Sequence, residues 1–389
     1  MAIVPSPARI PRRYREPVSE RKVGGNDVVL LRNGTAAFPT MLDAIASARE
    51  QVLLEMYWFG SDGIGRRFAR ALEDKARDGV EVAVIHDSVG SIDAAPEMFD
   101  DMRAAGVRVV EFNPVAPWQR RFRLDRLNRR DHRKILVVDG TIGFVGGINI
   151  GDPWHPDPET GACWRDDAIR VEGPAVESLG LLFAHTWVGQ GERPLGRHPT
   201  GPAHEGSGTN VRVLGEYGVR NRREIRRAYL YRVWHSRKRV WIANSYFVPD
   251  RVVRRALVRA ARRGVDVRVL VPAQSDIPAV YYAGRATYDR LMRHGVRIFE
   301  WQRNVLHAKT AVVDGLWSTV GSYNLDYRSF RYNLEVSVAI EDEAFATAME
   351  ASYEQDFAES AEVRREDFRF RSLSDRLLER VCYFFRKLL

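Results

Sequence analysis

One eight-residue pattern occurs twice in this chain, at matching places in its two halves. The pattern His-x-Lys-x-x-x-x-Asp covers residues 132–139 and again residues 307–314. After a gap of six residues, a second signature follows each copy, Gly-Gly-Ile-Asn at 146–149 and Gly-Ser-Tyr-Asn at 321–324. Because a repeated unit folds in the same way each time, the duplication predicts two similar halves.

The repeat extends beyond the motif. Residues 52–59 match 240–247 and residues 106–112 match 295–301, while apolar residues recur at helical spacing between these strand-like runs. This alternation predicts two pseudo-symmetric α/β domains, each with a mixed central sheet flanked by helices, and an active site at their interface. The expected segments are a disordered Pro/Arg-rich tail (1–25), the first domain (26–189), a linker (190–210), the second domain (211–371) and a C-terminal amphipathic helix (372–389).

Two segments break the internal symmetry, and each has two interpretations. Residues 113–130 contain an Arg-rich insertion that the second copy lacks and that leads directly into His132. This insertion is either a solvated loop or a contact for anionic headgroups or membrane. Residues 372–389 form an amphipathic pattern that either caps the second domain or lies in a bilayer interface. The sequence alone leaves both pairs open.

Composition narrows the partners and the compartment. The net charge of +9 favours an anionic partner, either nucleic acid or anionic lipid. Two distant cysteines indicate a reducing compartment, and the N-terminus shows no signal peptide. No run of about 18 apolar residues is present, so the sequence predicts no spanning helix.

The paired motifs carry groups suited to phosphodiester transfer. One imidazole, from His132 or His307, can attack phosphorus while the other handles the proton of the leaving group. Ammonium and amide groups can neutralise the phosphate oxygens, and these are Lys134, Lys309, Asn149 and Asn324. Two lysines in the same pocket would repel a metal cation, so we expect catalysis without metal or other cofactor.

These motifs resemble the phospholipase D superfamily, and within it the bacterial cardiolipin synthases of the branch called cardiolipin synthase B. The similar stretches include 144–149, 164–166, 171–176, 242–247 and 321–326. The resemblance implies the catalytic set His132, Lys134, Asp139, His307, Lys309 and Asp314, with a phosphohistidine intermediate and His132 favoured as nucleophile.

The resemblance also implies histidine-orienting acids that reach across the two copies. Asp166 is expected to support His307, and Glu335 to support His132. Asp139 and Asp314 are then expected to pin the motif turn rather than to transfer protons. Asp87 and Asp276 end matched strands and could line the site, but a plain β–α turn is the favoured interpretation of each.

The expected function is phosphatidyl transfer from one phosphatidylglycerol to another, giving cardiolipin and glycerol. Hydrolytic phospholipase D activity is the main alternative, since it shares the covalent intermediate; a nucleic-acid phosphodiesterase and a catalytically dead lipid-binding scaffold are further alternatives. The expected partners are phosphatidylglycerol and an anionic membrane surface on its cytoplasmic side, bound peripherally, and no nucleic acid. The choice between phosphatidylglycerol and phosphatidylethanolamine as acceptor, and the oligomeric state, stay open.

Overall fold

The computed structural model describes residues 23–118, 122–156, 160–196, 208–215 and 223–388. Residues 1–22 of the expected N-terminal tail and residues 197–207 of the expected linker lie outside the described residues, whereas residues 23–25, expected to be disordered, begin the first strand. In the first half, strands and helices alternate as the repeat predicts: β1 (Val23–Arg32), α1 (Asn33–Ser47), β2 (Gln51–Met56), α2 (Gly63–Arg77), β3 (Glu81–Asp87), α3 (Pro96–Ala104), β4 (Arg108–Phe112), β5 (Lys134–Val138), β6 (Ile142–Gly146), β7 (Asp167–Glu172) and α4 (Val176–Gly189).

The second half follows the same order of elements, with two additional five-residue helices within it and a short strand and two helices at its end. Its elements are β8 (Thr209–Gly215), α5 (Glu224–His235), β9 (Arg239–Asn244), α6 (Arg251–Arg262), β10 (Asp266–Pro272), α7 (Pro278–Arg285), α8 (Tyr288–Met292), β11 (Arg297–Trp301), β12 (Lys309–Val313), β13 (Trp317–Gly321), α9 (Tyr327–Arg331), β14 (Val336–Glu341), α10 (Glu343–Ala358), β15 (Ser360–Glu362), α11 (Arg365–Phe368) and α12 (Leu373–Phe384).

Helix α2 shows how local sequence produces these elements. Asp62 caps its first turn through its carboxylate, and the apolar residues Ile64, Phe68 and Leu72 recur at helical spacing and are buried. Its counterpart α6 begins in the same way after Asp250. Each helix therefore covers the sheet with one apolar face, and burying a Leu or Phe side chain contributes about 1.5–3 kcal/mol.

A single mixed sheet runs through both halves in the described part of the chain. Its strand order is β4-β3-β2-β5-β6-β7-β1-β8-β14-β13-β12-β9-β10-β11-β15. In this sheet the order β8-β14-β13-β12-β9-β10-β11 of the second half mirrors the order β1-β7-β6-β5-β2-β3-β4 of the first half. The halves join where β1 pairs antiparallel with β8. The repeat predicted the two matching sheets but not their fusion at this edge.

The halves also share an apolar core. One buried cluster contains Ile135 and Val137 of β5, Leu182 and Phe183 of α4, and Met349 of α10. Two further buried clusters lie on the opposite face of the sheet, one under α1–α3 in the first half and one under α5–α6 in the second half. The interface between the halves is therefore packed core, which holds groups at that interface in fixed positions.

Both motif aspartates lie in tight hairpin turns. Asp139 and Gly140 have φ of 48° and 62°, and Asp314 and Gly315 have φ of 57° and 71°. Two-residue turns of this kind match the twist of the flanking strands and favour Asp-Gly. The Asp314 carboxylate accepts the backbone N–H groups of residues 237, 238 and 239 at 2.8, 2.8 and 2.9 Å, and that of Asp139 accepts those of residues 49, 50 and 51.

Helix α12 packs against α7. Within the described residues no helix is both long and apolar enough to cross a bilayer.

The turn geometry predicts a purely structural effect for Asp314→Ala. The change removes three hydrogen bonds and puts alanine at positive φ, so we expect the free energy of unfolding to fall by about 2–4 kcal/mol. Urea unfolding would measure this loss, with Asp314→Asn as the control that tolerates positive φ. Catalytic activity per folded molecule should stay unchanged; an inactive alanine variant of normal stability would contradict this.

Candidate active site

The two copies of the motif are joined to each other by backbone hydrogen bonds. The N–H of His132 donates to the carbonyl oxygen of Leu334 at 3.0 Å, and the N–H of His307 donates to that of Arg165 at 2.7 Å. Each contact links the start of a motif strand to the residue before the expected orienting acid of the other half. The pseudo-symmetry thus brings both histidines to one place.

Each histidine contacts a carboxylate from the opposite half. His132 Nδ1 lies 3.1 Å from Glu335 Oε2, and His307 Nδ1 lies 2.7 Å from Asp166 Oδ2. A carboxylate accepts a hydrogen bond, so Nδ1 carries the proton in each neutral ring and Nε2 carries the free lone pair. The structure therefore brings together both residue pairs named from the sequence, and their geometry leaves each Nε2 to meet a ligand.

Asp166 is held by donors of its own half. Its Oδ2 accepts from Trp154 Nε1 at 2.9 Å, and its Oδ1 accepts from the backbone N–H of Asp167 at 2.8 Å. Burial raises the pKa of Asp166 to about 6 despite the nearby Lys309 ammonium and these hydrogen bonds. The carboxylate is therefore ionised near neutral pH but within reach of protonation under mild acid.

Glu335 is held differently. Its Oε2 accepts from Ser322 Oγ at 2.5 Å, and its Oε1 accepts from Asn333 Nδ2 at 3.3 Å. Burial opposes the charge of this group, but the His132 ring and the Ser322 hydroxyl outweigh it, so the pKa of Glu335 lies below its usual value. The two orienting carboxylates are thus equivalent in position but not in acidity.

The Gly-[Gly/Ser]-x-Asn signature has a packing cause. A Cβ added to Gly146 would lie 2.4 Å from the carbonyl oxygen of the adjacent strand, and one added to Gly321 would lie 2.3 Å from its counterpart. At the next position, a Cβ on Gly147 would lie 2.2 Å from the Asp166 carboxylate, whereas Ser322 occupies the equivalent place beside Glu335 and donates to it. The small residues of the signature therefore let the neighbouring strand and the orienting carboxylate approach the backbone closely.

The motif lysines are buried next to the histidines. Lys134 Nζ donates to the carbonyl oxygen of His132 at 2.7 Å, and Lys309 Nζ donates to that of His307. Burial, with the charge of Lys309, lowers the pKa of Lys134 to about 7; burial lowers that of Lys309 to about 8, although nearby carboxylates oppose the shift. An anion bound beside them would favour their charged forms.

The signature asparagines face the same cavity with their oxygens already bonded. Asn149 Oδ1 accepts from the backbone N–H of Trp58 at 3.1 Å, and Asn324 Oδ1 accepts from Ser245 Oγ at 2.9 Å. The NH2 group of each amide is the part that can donate to a ligand. Such donors suit the non-bridging oxygens of a phosphate.

The two histidines and the two signature asparagines line a cavity of about 180 Å³. Its wall combines aromatic, charged and apolar side chains from both halves. The lining residues are Tyr57, Trp58, Arg130, His132, Asn149, Trp154, Trp164, Tyr246, Asp276, Ile277, Val280, His307, Asn324, Asp326, Arg328 and Asn333.

The surroundings of the two histidines differ. The ring of Tyr57 lies 4.9 Å from that of His132, whereas Trp154 and Trp164 lie 5.2 and 5.7 Å from His307. Burial and the adjacent lysines lower the pKa of both histidines, and more strongly that of His307. In the unliganded site both rings are therefore neutral near neutral pH.

Asp139 and Asp314 belong to the predicted catalytic set but lie away from the cavity. Each sits at the far end of a five-residue strand from its motif lysine, roughly 16 Å along the strand. Their carboxylates bond backbone N–H groups, as the turn geometry requires. Including them among catalytic residues is corrected accordingly, because they cannot reach a ligand held by the histidines.

Three charged residues near the motif make contacts that the repeat did not predict. Asp276 lines the cavity, so its interpretation as a plain turn residue is wrong, and its carboxylate accepts from Tyr246 Oη at 2.5 Å. Asp87 does hold its turn, accepting from the N–H groups of residues 89 and 90, and it also accepts from the N–H of Asp131 beside the motif. Arg130, the last residue of the Arg-rich segment, is buried and lines the cavity rather than meeting solvent.

Sequence reasoning missed the aromatic wall. Tyr57, Trp58 and Tyr246 follow β2 and β9, so their positions at the ends of matched strands were the available signal. Trp154 lies in a short turn after the first signature and had no counterpart to mark it. Within the described residues, no three His, Cys, Asp or Glu side chains are grouped to bind a metal.

Comparison with known proteins agrees with this geometry. A family described as "Cardiolipin synthase, PLD-like domain" matches residues 41–162 and 230–357, one stretch in each half. The chain is 34% identical to the probable cardiolipin synthase YwiE of Bacillus subtilis, over 92% of this chain and 72% of that one. It is 38% identical to cardiolipin synthase A of Pseudomonas fluorescens, over 89% and 72%.

A solved structure shares the fold. The phosphatidylserine synthase of Haemophilus influenzae superposes with a TM-score of 0.69 at 13% identity, covering 93% of this chain and 95% of that one.

The buried acids and lysines predict a bell-shaped dependence of activity on pH. As pH falls through about 6, Asp166 gains a proton and can no longer accept from His307; as pH rises through about 7 to 8, Lys134 and Lys309 lose their charge. We expect kcat/KM for a phosphodiester substrate to fall on both sides. Asp166→Asn should remove the acid limb, whereas the exposed Asp93→Asn should keep it. An acid limb that persists in Asp166→Asn would assign it to another group.

Proposed function

The chain belongs to the cardiolipin synthase family of phospholipase D-like proteins, and from that premise we propose that it is a phosphatidyltransferase joining two phosphatidylglycerols into cardiolipin. The observation that carries the proposal is the reciprocal pairing at one cavity, where each histidine receives its carboxylate from the other half. A site with two free Nε2 atoms supports a double displacement on phosphorus.

In the first step, Nε2 of His132 attacks the phosphorus of a bound phosphatidylglycerol. A P–N bond forms, the bond from phosphorus to the glycerol oxygen breaks, and His307 Nε2–H gives its proton to that oxygen, so glycerol leaves. Burial and the nearby lysines lower the pKa of both histidines, so both unliganded rings are competent to attack; the resemblance of the motif to its family favours His132 as the nucleophile.

In the second step, a hydroxyl of another phosphatidylglycerol attacks the phosphohistidine. Its proton passes to His307, the P–N bond breaks and neutral His132 is restored. The acceptor oxygen takes the place that the glycerol oxygen left, so both steps use one geometry. A water molecule in that place would give phosphatidic acid instead, and phosphatidylethanolamine is the rival lipid acceptor.

The charge around the histidines supports proton uptake on substrate binding. The side chains of Lys134, Lys309, Asp166 and Glu335 are all buried beside the histidines, so solvent and salt screen their charges little. A phosphodiester adds one negative charge, which favours the protonated form of His307. Substrate binding would thereby supply the general acid that the unliganded site lacks.

We place the protein peripherally on the cytoplasmic face of the membrane. Cys163 and Cys382 are both free, which supports a reducing compartment.

Product analysis tests the reaction itself. Purified protein incubated with vesicles containing labelled phosphatidylglycerol should yield cardiolipin and glycerol in equal amounts. Phosphatidic acid as the main product would indicate hydrolysis. If phosphatidylethanolamine is included in the vesicles and the labelled phosphatidyl group is transferred to it, phosphatidylethanolamine is the acceptor. Absence of any lipid turnover, with cleavage of nucleic acid, would contradict the proposal.

Variants of the two histidines separate their roles. His132→Ala should form no covalent phosphatidyl adduct, because the nucleophile is gone. His307→Ala should slow turnover by about 10²–10⁴-fold yet still form the adduct with a donor whose leaving group needs no proton. Intact-mass measurement after rapid quenching would detect the adduct, and His294→Ala, whose ring lies outside the cavity, serves as control. An adduct on His307 in the His132→Ala protein would reverse the assignment.

A further inference from the structure

Helix α12 presents its apolar side to solvent. Leu373, Leu377 and Phe384 are 81%, 64% and 76% exposed, whereas Glu379 is 1% exposed. A helix that caps a domain buries its apolar face and exposes its charged one. Here the orientation is the reverse: α12 packs against α7 with its polar side and leaves its apolar side exposed, which favours the bilayer interpretation of the two that the sequence left open.

A buried ionic contact supports this orientation. The Glu379 carboxylate accepts a hydrogen bond from Arg371 Nη2 at 2.7 Å and lies 3.6 Å from Nε of Arg285 on α7. Arg285 also pairs with Glu300, at 2.7 Å. Turning the helix over would separate the buried Glu379 carboxylate from both guanidinium groups, and a buried charge without a partner is costly. The contact therefore holds the helix with its polar side inward.

The same helix lies one layer of side chains from the catalytic cavity. Cys382 and Tyr383 pack in a small apolar cluster with Val280 and Tyr246. Val280 and Tyr246 also line the cavity, as does the half-exposed Ile277 that precedes α7. Helix α12 thus packs on residues that line the catalytic cavity.

We propose that α12 is a docking helix whose outward apolar face inserts into an anionic lipid bilayer and so sets the catalytic cavity against the lipid surface. The inference rests on the proposed function, because a phosphatidyl donor carries its acyl chains in a bilayer and must be reached there.

Charge complementarity identifies a bilayer as the occupant. Arg380 and Lys387 are exposed next to the apolar face, where they can meet anionic headgroups while the Leu and Phe side chains enter the acyl region. Phe370 and Leu388, 88% and 73% exposed, extend the apolar strip beyond both ends of α12. Apolar residues flanked by cations form the pattern of interfacial helices.

Vesicle binding and short-chain turnover together test this docking role. The variant Leu373→Gln/Leu377→Gln/Phe384→Gln changes exposed side chains only, so it should fold normally. Its binding to phosphatidylglycerol-containing vesicles, measured by co-sedimentation, should be weaker by about tenfold or more. Its turnover of dihexanoylphosphatidylglycerol, kept below the micelle concentration, should match that of the unmodified protein.

A matched control removes three exposed apolar residues elsewhere. Leu181→Gln/Val188→Gln/Leu316→Gln should bind vesicles as the unmodified protein does. If the α12 variant binds vesicles as strongly as the unmodified protein, the docking role is overturned. It is also overturned if the unmodified protein is a dimer and the variant is a monomer with unchanged vesicle binding, because the apolar face would then be a dimer interface. Failure of the unmodified protein to turn over the short-chain lipid would instead reject the proposed function, while the binding comparison would still decide the role of α12.

Discussion

Reciprocal contact between the two halves is the constraint on which the rest of this structure depends. Each half supplies a histidine and the carboxylate that orients the histidine of the other half. Neither half alone holds a complete pair, so the site exists where the halves meet. The fused sheet and the shared core make that meeting place rigid, which keeps both Nε2 atoms in register with one ligand.

The electrostatics of the site follow from its burial. Taking two ammonium groups and two carboxylates out of water is costly, and their mutual attraction offsets the cost only when they stay close. The lowered pKa values of Lys134 and Lys309 and the raised pKa of Asp166 record that cost. A bound phosphodiester monoanion would lower the cost of keeping the lysines charged. Under the proposed mechanism the same negative charge would favour protonation of His307, so substrate binding and activation of the general acid would be coupled.

Much of this arrangement could be predicted from the sequence because it repeats. The doubled motif located the histidines, lysines and asparagines, and strand-like runs at matched offsets predicted the α/β halves. The fusion of the sheet at β1 and β8 could not be predicted, since it depends on edge pairing between distant segments. The edge-to-face contact of Trp154 with His307 has no counterpart in the repeat. The orientation of α12 depends on the ion pairs of Glu379 with Arg371 and Arg285, which an amphipathic pattern does not specify.

Histidine ring resonances give the most direct test of the reciprocal pairing. In a chain labelled with ¹⁵N-histidine, the ring nitrogens of His132 and His307 can be assigned by the two single substitutions to alanine. The account predicts that Asp166→Asn shifts the His307 nitrogens and leaves those of His132 nearly unchanged, and that Glu335→Gln does the opposite. A shift of His132 in Asp166→Asn, with His307 unaffected, would contradict it.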